Sequence, residues 1–198
     1  MAKARRARLD PEARRAQLVE TARGLLEERG VGTMSVEDVA DAAGVSRSLV
    51  YAYFGDRDGL VAEVYLGVLA ELEQALAPFL PRGVPTDEDG LRRVVECCMR
   101  FALDQPAAWR LLVTDSVRRH PAIIRSRSRR VATLAGMPSL AGSPCAGEVG
   151  DEMVADAILG LLEAGVLHWL DYSDLPPEEA STLLSTVLWS GLRGVSPT

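Results

Sequence analysis

SVEDVADAAGVSRSLVYAYFGDR, residues 35–57, is the stretch on which the fold turns. Ser35 is followed three residues on by Asp38, the spacing of a capping box, in which two side chains satisfy backbone N–H groups that a helix start leaves open. Val36, Val39, Ala40 and Ala43 recur at i, i+3, i+4 and i+7, one apolar face of a helix about two turns long. Gly44 stops that helix, because glycine enters the left-handed conformation without a Cβ penalty. Val45 can then plug the corner, and Ser46 can cap a second helix. The second helix puts Val50 and Phe54 on one face and leaves Arg47, Ser48, Tyr51 and Tyr53 largely off it. This is helix-turn-helix geometry, with the N-terminal half of the second helix offered to a DNA major groove. The competing reading is an ordinary helical hairpin whose exposed side chains have no partner. Three features stand against it: small residues at the turn, two tyrosines and an arginine together on the solvated face, and a basic arm ahead of the unit.

That arm, residues 1–9, carries Lys3, Arg5, Arg6 and Arg8 with no acid among them. It reads either as a flexible segment that follows phosphates or as a disordered solubilising tail. No apolar stretch follows the charges, so it is not expected to be a signal peptide. Asp10-Pro11-Glu12 then starts a helix, with an N-cap, a proline in the first turn and an acid near the positive end of the dipole. Leu18, Ala22, Leu25 and Leu26 carry its period, and Gly30 ends it. Packed on Val36, Val39, Val50 and Phe54, this helix completes a self-contained three-helix domain over residues 10–57.

Residues 58–198 show no alternating strand pattern, so the whole chain is expected to be all-α. Asp56 can cap a helix through Leu60, Val64, Val68, Leu72 and Leu76, and Pro81 to Thr86 reads as a linker. A helix over about 87–104 carries Leu91, Val94, Val95, Cys98, Phe101 and Ala102 on its apolar stripe. Pro106 opens a helix with Trp109, Leu112 and Val113, and Pro121 opens another that runs to about Ala135. Arg118, Arg119, Arg125, Arg127, Arg129 and Arg130 cross that last helix. They read first as a solvated face balanced by acids, and second as a seat for an anionic effector such as an acyl-coenzyme A. Gly136 to Gly150 is rich in Gly, Pro and Ser and reads as a long loop. Two helices close the chain, one from Asp151 through Trp169 and one after Pro177 through Leu192. Both are apolar around more of their circumference than one small domain can bury. A four-helix bundle made with a second copy accounts for the excess; burial within a monomer is the alternative.

Composition excludes several classes. The net charge is −6, yet residues 1–57 sum to +1 and the remainder to −7, so an acidic body can help orient a basic end toward DNA. His120 and His168 are far apart, Cys97 and Cys98 point about 100° apart on a helix, and Cys145 completes no zinc spacing, so no metal site is expected. Three cysteines fit a reducing cytoplasm, with packing as their expected role. No nucleophile elbow, phosphate loop or dinucleotide fingerprint is present; no catalytic residue, cofactor or enzyme activity is expected. No apolar stretch reaches transmembrane length without interruption by charge or proline, so a soluble protein is expected.

The residues quoted above also carry a resemblance. A first helix ending at Gly30, the run SVEDVADAAGVS, and then LVYAYFGDRDGLV resemble the DNA-binding domain of the TetR family of bacterial transcriptional regulators, over about residues 10–65. The tail Tyr-x-Tyr-Phe-Gly-x-Arg-x-x-Leu makes the likeness more specific than a lone helix-turn-helix. The resemblance implies a homodimer, a helical effector-binding C-terminal domain, and repression of a palindromic operator released by a small ligand. It implies that Ser35 caps the first helix of the motif and touches a phosphate, that Arg47 and Ser48 face bases, and that Tyr51 meets backbone or a thymine methyl. Tyr53 and Arg57 match phosphate-binding positions. Leu49 stands where a small hydroxyl residue is common, Met34 where threonine is frequent, and Glu37 brings an acid near the DNA. By the same likeness Cys98, Phe101, Trp109 and Trp169 lie on helices that line an effector pocket, although plain core is the simpler role for each. Low aromatic content argues against an aromatic cage for a planar cation. An activator, a ligand-independent DNA binder, and a helical carrier or enzyme on the same scaffold are the alternatives.

Overall fold

The computed structural model describes residues 10–30, 32–80, 87–135 and 148–195. The basic arm, the linker at 81–86, and most of the Gly-rich stretch with Cys145 fall outside them. Among the described residues every regular element is a helix. The chain divides into two compact units, Met1–Val64 and Tyr65–Thr198.

In the first unit, α1 (Pro11–Arg29) starts where Asp10 Oδ1 accepts from the backbone N–H groups of Glu12 and Ala13, both at 3.0 Å. It ends where Gly30 turns at φ 79° and donates to Leu26 O. α2 (Val36–Ala43) and α3 (Arg47–Phe54) follow, and α4 (Arg57–Leu76) begins within this unit. Leu18, Ala22, Val39, Ala40 and Val50 are almost fully buried, so the apolar stripes meet as the spacing predicts. Met34 is also core, at 2% exposure, which is why an apolar residue suits a position just ahead of α2. The first turns of α4 bury Leu60, Val61 and Val64, and the compact unit accordingly reaches Val64 rather than stopping at residue 57. Phe54 is only half-buried, and Arg15 covers its ring at 5.0 Å from the centroid, a cation–π contact.

The second unit holds the rest of α4, a 3-10 turn at Ala77–Phe79, and six further helices. These are α5 (Glu88–Asp104), α6 (Pro106–Val113), α7 (Asp115–Arg118), α8 (Pro121–Ala135), α9 (Glu148–Tyr172) and α10 (Pro177–Val195). Asp87 caps α5 by accepting from Gly90 N at 2.6 Å. The predicted α5 stripe is the core of the unit and packs against α6, α9 and α10. The short α7 was not legible: its four residues are too few for a period, and Arg118 belongs to it rather than to α8.

The expectation of a solvated arginine face fails for half of the run. Glu163 on α9 is buried, and Arg118 and Arg127 reach it at 2.5 Å and 3.0 Å, with Arg130 farther off at 4.0 Å. Arg127 also binds Asp156 at 2.9 Å. A buried carboxylate has to be paired, and residues 33 to 45 positions away supply its partners, out of reach of local pattern reading. α9 comes nearest to a membrane-length apolar stretch, and charge interrupts it at Asp156 and Glu163. Gly150–Tyr172 has a mean hydropathy of 1.5, long and apolar enough to cross a bilayer by length and composition, yet Glu163 within it is tied into this ion-pair cluster.

Gly59 marks a close approach. A methyl group there would overlap the carbonyl oxygen of Phe54, and its N–H already donates to Asp56 Oδ1 at 2.7 Å. Gly59→Ala is expected to cost about 1–3 kcal/mol through overpacking of the α3–α4 turn. Thermal unfolding followed by circular dichroism should show a midpoint several degrees lower; an unchanged midpoint would mean that the turn relaxes freely.

Candidate nucleic-acid interface

The start of α2 is a complete capping box. Ser35 Oγ accepts from Asp38 N at 3.1 Å, Ser35 N donates to Asp38 Oδ2 at 2.9 Å, and the hydroxyl lies 2.5 Å from the same carboxylate oxygen. The Ser35 hydroxyl, followed by the Ser35 backbone N–H, holds the Asp38 carboxyl below its ordinary value, and nearby Arg29 acts in the same direction. Ser35 thus spends its side chain on the cap, and a phosphate at this helix start would meet a hydroxyl already oriented by Asp38.

The turn follows from one residue. Gly44 sits at φ 65°, ψ 42°, in the left-handed region, and donates to Asp41 O at 3.2 Å while Val45 N donates to Ala40 O at 2.9 Å. These bonds satisfy the last carbonyls of α2 and set the direction of α3. Ser46 Oγ accepts from Leu49 N at 3.3 Å, and Ser48 Oγ lies 3.0 Å from it. With Val50 at 1% exposure locked inward, the outer face of α3 presents Arg47, Ser48 and Tyr51, the last 46% exposed. Leu49 and Tyr53 are half-buried at its margins.

Two ion pairs bear on this face. Arg47 Nη1 meets Glu37 Oε1 at 3.1 Å, with both side chains largely in water. Such a pair contributes about 0–1 kcal/mol, so guanine or phosphate can displace the acid; meanwhile Glu37 holds the fork at the start of α3. Arg57 is used differently from its expected phosphate position. Its Nε donates to Met34 O at 2.7 Å and its Nη1 meets Asp58 at 3.4 Å, which ties the α1–α2 connection to the start of α4. Arg15 escaped the sequence pattern altogether. Its guanidinium binds Tyr53 O at 3.2 Å and Glu63 at 2.8 Å, clasping the end of α3 to α4. Thirty-eight residues separate Arg15 from Tyr53, and no local signal joins them.

Cys98, Phe101, Trp109 and Trp169 are all buried in the second unit, at 1%, 7%, 2% and 8% exposure. Burial pushes the Cys98 thiol up to about 12, so it stays protonated and behaves as packing. Burial likewise raises the Cys97 thiol. Trp169 lines a hollow on α9 and α10 and donates from Nε1 to Leu175 O at 2.9 Å. Among the described residues no three His, Cys, Asp or Glu side chains gather as a metal site.

With the three-helix unit and its outward α3 face in place, comparison with known proteins is decisive. Residues 18–64 match the profile described as bacterial regulatory proteins, tetR family. The chain is 25% identical to the transcriptional activator FasR of Mycolicibacterium smegmatis, over 95% of this chain and 87% of the relative. It is 27% identical to the transcriptional repressor KstR2 of Rhodococcus jostii, over 93% and 80%. It is 34% identical to the regulator BetI of Stenotrophomonas maltophilia, where the match spans only 42% of each chain. A TetR-like transcriptional regulator from a Rhodococcus species superposes with a TM-score of 0.65 at 25% identity, over 94% of this chain and all of that one. Residues 18–64 thus match the DNA-binding domain of the TetR family, and over nearly its whole length the chain is similar to transcriptional regulators of that type. It is a DNA-binding regulator and not an enzyme.

Ser35→Ala removes the α2 N-cap and the partner of Asp38. The expected loss is about 1 kcal/mol of stability, read as a lower urea midpoint at neutral pH. A midpoint equal to wild type would show that water replaces the cap in full.

Proposed function

We propose that the chain is a homodimeric repressor that binds a palindromic operator through residues 35–57 and is released by a small molecule held in its C-terminal unit. The observation that carries the reading is the outer face of α3, where Arg47, Ser48 and Tyr51 are exposed on a helix anchored by Val50. Arg47 can pair bidentately with guanine O6 and N7. Leu49 offers an apolar contact, and Ser35, Tyr53 and Arg57 lie where the family meets phosphates.

Dimerisation through the last two helices is supported by what they leave uncovered. Leu161, Leu183 and Val187 expose 37%, 55% and 48%, and they line one hollow along α9 and α10. Covering the part of each side chain still in water contributes on the order of 1 kcal/mol, and a second copy covers an isologous patch with its own equivalent. Two recognition helices about 34 Å apart would then enter successive major grooves. α4 is continuous across the division between the units, so a ligand that moves its later turns also moves the turns bearing Arg57. Simultaneous engagement of both half-sites is then lost, and operator affinity falls. One relative is named an activator and another a repressor. Repression is the simpler reading, because release needs only that loss of engagement whereas activation needs a further polymerase contact. The protein acts in the cytoplasm, where its DNA lies.

Fluorescence anisotropy on DNA upstream of its own gene, across a salt series with scrambled competitor, tests the first half. Specific binding that falls steeply with salt is expected. Arg47→Ala should cost about 1–3 kcal/mol of discrimination at one base pair per half-site, and Arg47→Ala with Tyr51→Ala should abolish specific binding. Affinity equal to scrambled DNA at every salt would overturn this operator assignment. For the second half, sedimentation equilibrium should give a dimer for the native chain and a folded monomer for Leu183→Asp with Val187→Asp. A native monomer would overturn the dimer.

A further inference from the structure

Within the second unit, α4, α8 and α9 line a half-open cavity of about 610 Å³. Leu69, Leu72 and Leu76 of α4 line it together with Leu134 of α8 and Leu159 of α9. Its polar members are few: Ser126, Arg129, Arg130 and Thr133 of α8, and Glu73 of α4. A mostly apolar hollow of several hundred Å³ with a few convergent polar groups is the usual form of a small-molecule site.

Arg130 says what kind of molecule. The buried acid Glu163 is already engaged by Arg118 and Arg127 at hydrogen-bonding distance, while Arg130 stands 4.0 Å from it. Its other polar contact is a long one, Nη2 to the Tyr65 hydroxyl at 3.5 Å. Its Nε–H is buried and has no acceptor among the described residues. A guanidinium presents five donors and cannot lose its charge, and a buried unsatisfied donor on a charged group is costly. Arg129 is exposed on the same wall and pairs with no acid among the described residues. Glu73, also exposed, is the one acid of the lining, so the wall keeps a net positive charge.

We infer that this cavity binds an apolar monocarboxylate, its carboxylate accepting from Arg130 and its hydrocarbon tail lying along the leucines of α4 and α9. A carboxylate matches the planar guanidinium, gives its charge a partner, and leaves the tail in the apolar space. Binding also draws Arg130 away from Glu163, which joins α8 to α9. The role of such a ligand as the releasing effector rests on the regulator reading above; its binding does not.

Isothermal titration of the full-length protein with decanoate below its micelle concentration, in the absence of DNA, tests the site. Decanoate should bind at least tenfold more tightly than 1-decanol, and acetate should show no measurable heat. Arg130→Gln should weaken decanoate at least tenfold and leave 1-decanol unchanged, with Arg130→Lys restoring part of the loss. Leu159→Phe, which keeps the arginine and narrows the cavity, should weaken both ligands. Equal affinity for acid and alcohol, or an Arg130→Gln variant that binds decanoate like wild type while remaining folded by circular dichroism, overturns the inference. A separate anisotropy titration of the protein–operator complex with decanoate distinguishes the two claims. Decanoate bound through Arg130 without loss of operator affinity sustains the site and overturns its role as the effector; loss that disappears in Arg130→Gln sustains both.

Discussion

The left-handed turn at Gly44, φ 65° and ψ 42°, is the constraint from which the N-terminal unit follows. It closes α2 with two backbone hydrogen bonds and sends α3 off at an angle that only small neighbours permit; Ala40 and Ala43 are buried against it. Given that angle, Val50 has one place to go, and its burial fixes the rotation of α3 about its axis. Rotation decides which side chains face water. Arg47, Ser48 and Tyr51 are outside because Val50 is inside, so an apolar packing event sets the chemistry of the polar face.

Arginines do most of the long-range tying in this chain, each by a different use of the guanidinium. Arg15 bridges the end of α3 to α4 and stacks on Phe54. Arg57 satisfies a backbone carbonyl ahead of α2. Arg118 and Arg127 neutralise a buried carboxylate on α9. Exposed pairs such as Arg47 with Glu37 add little stability, but they hold a charged fork at the start of α3. The buried cluster is different: an acid of that kind is tolerable only with partners in place, which makes the α8–α9 junction sensitive to anything that competes for them. The apolar flank of α9 and α10 follows the opposite logic, with leucine and valine left in water for another surface to cover.

The sequence by itself determined the helices and their ends. Asp10, Ser35 and Ser46 cap where their spacing predicts, Gly30 and Gly44 stop, and the apolar periods name the buried faces. These signals are legible because a helix hydrogen-bonds within a few residues of itself, so cap, period and breaker all sit in one short window. The outward position of Arg47, Ser48 and Tyr51 was legible for the same reason. Only the tertiary structure decided the partners: Arg15 with Tyr53 and Glu63, Arg57 with Met34 O, and the arginines that leave a presumed solvated face to meet Glu163. It also turned Arg130 toward a cavity. Those outcomes depend on which helix packs on which, and on side chains dozens of residues apart competing for one charge. A long flexible arginine advertises its charge in the sequence, but its partner is chosen only when the helices have packed.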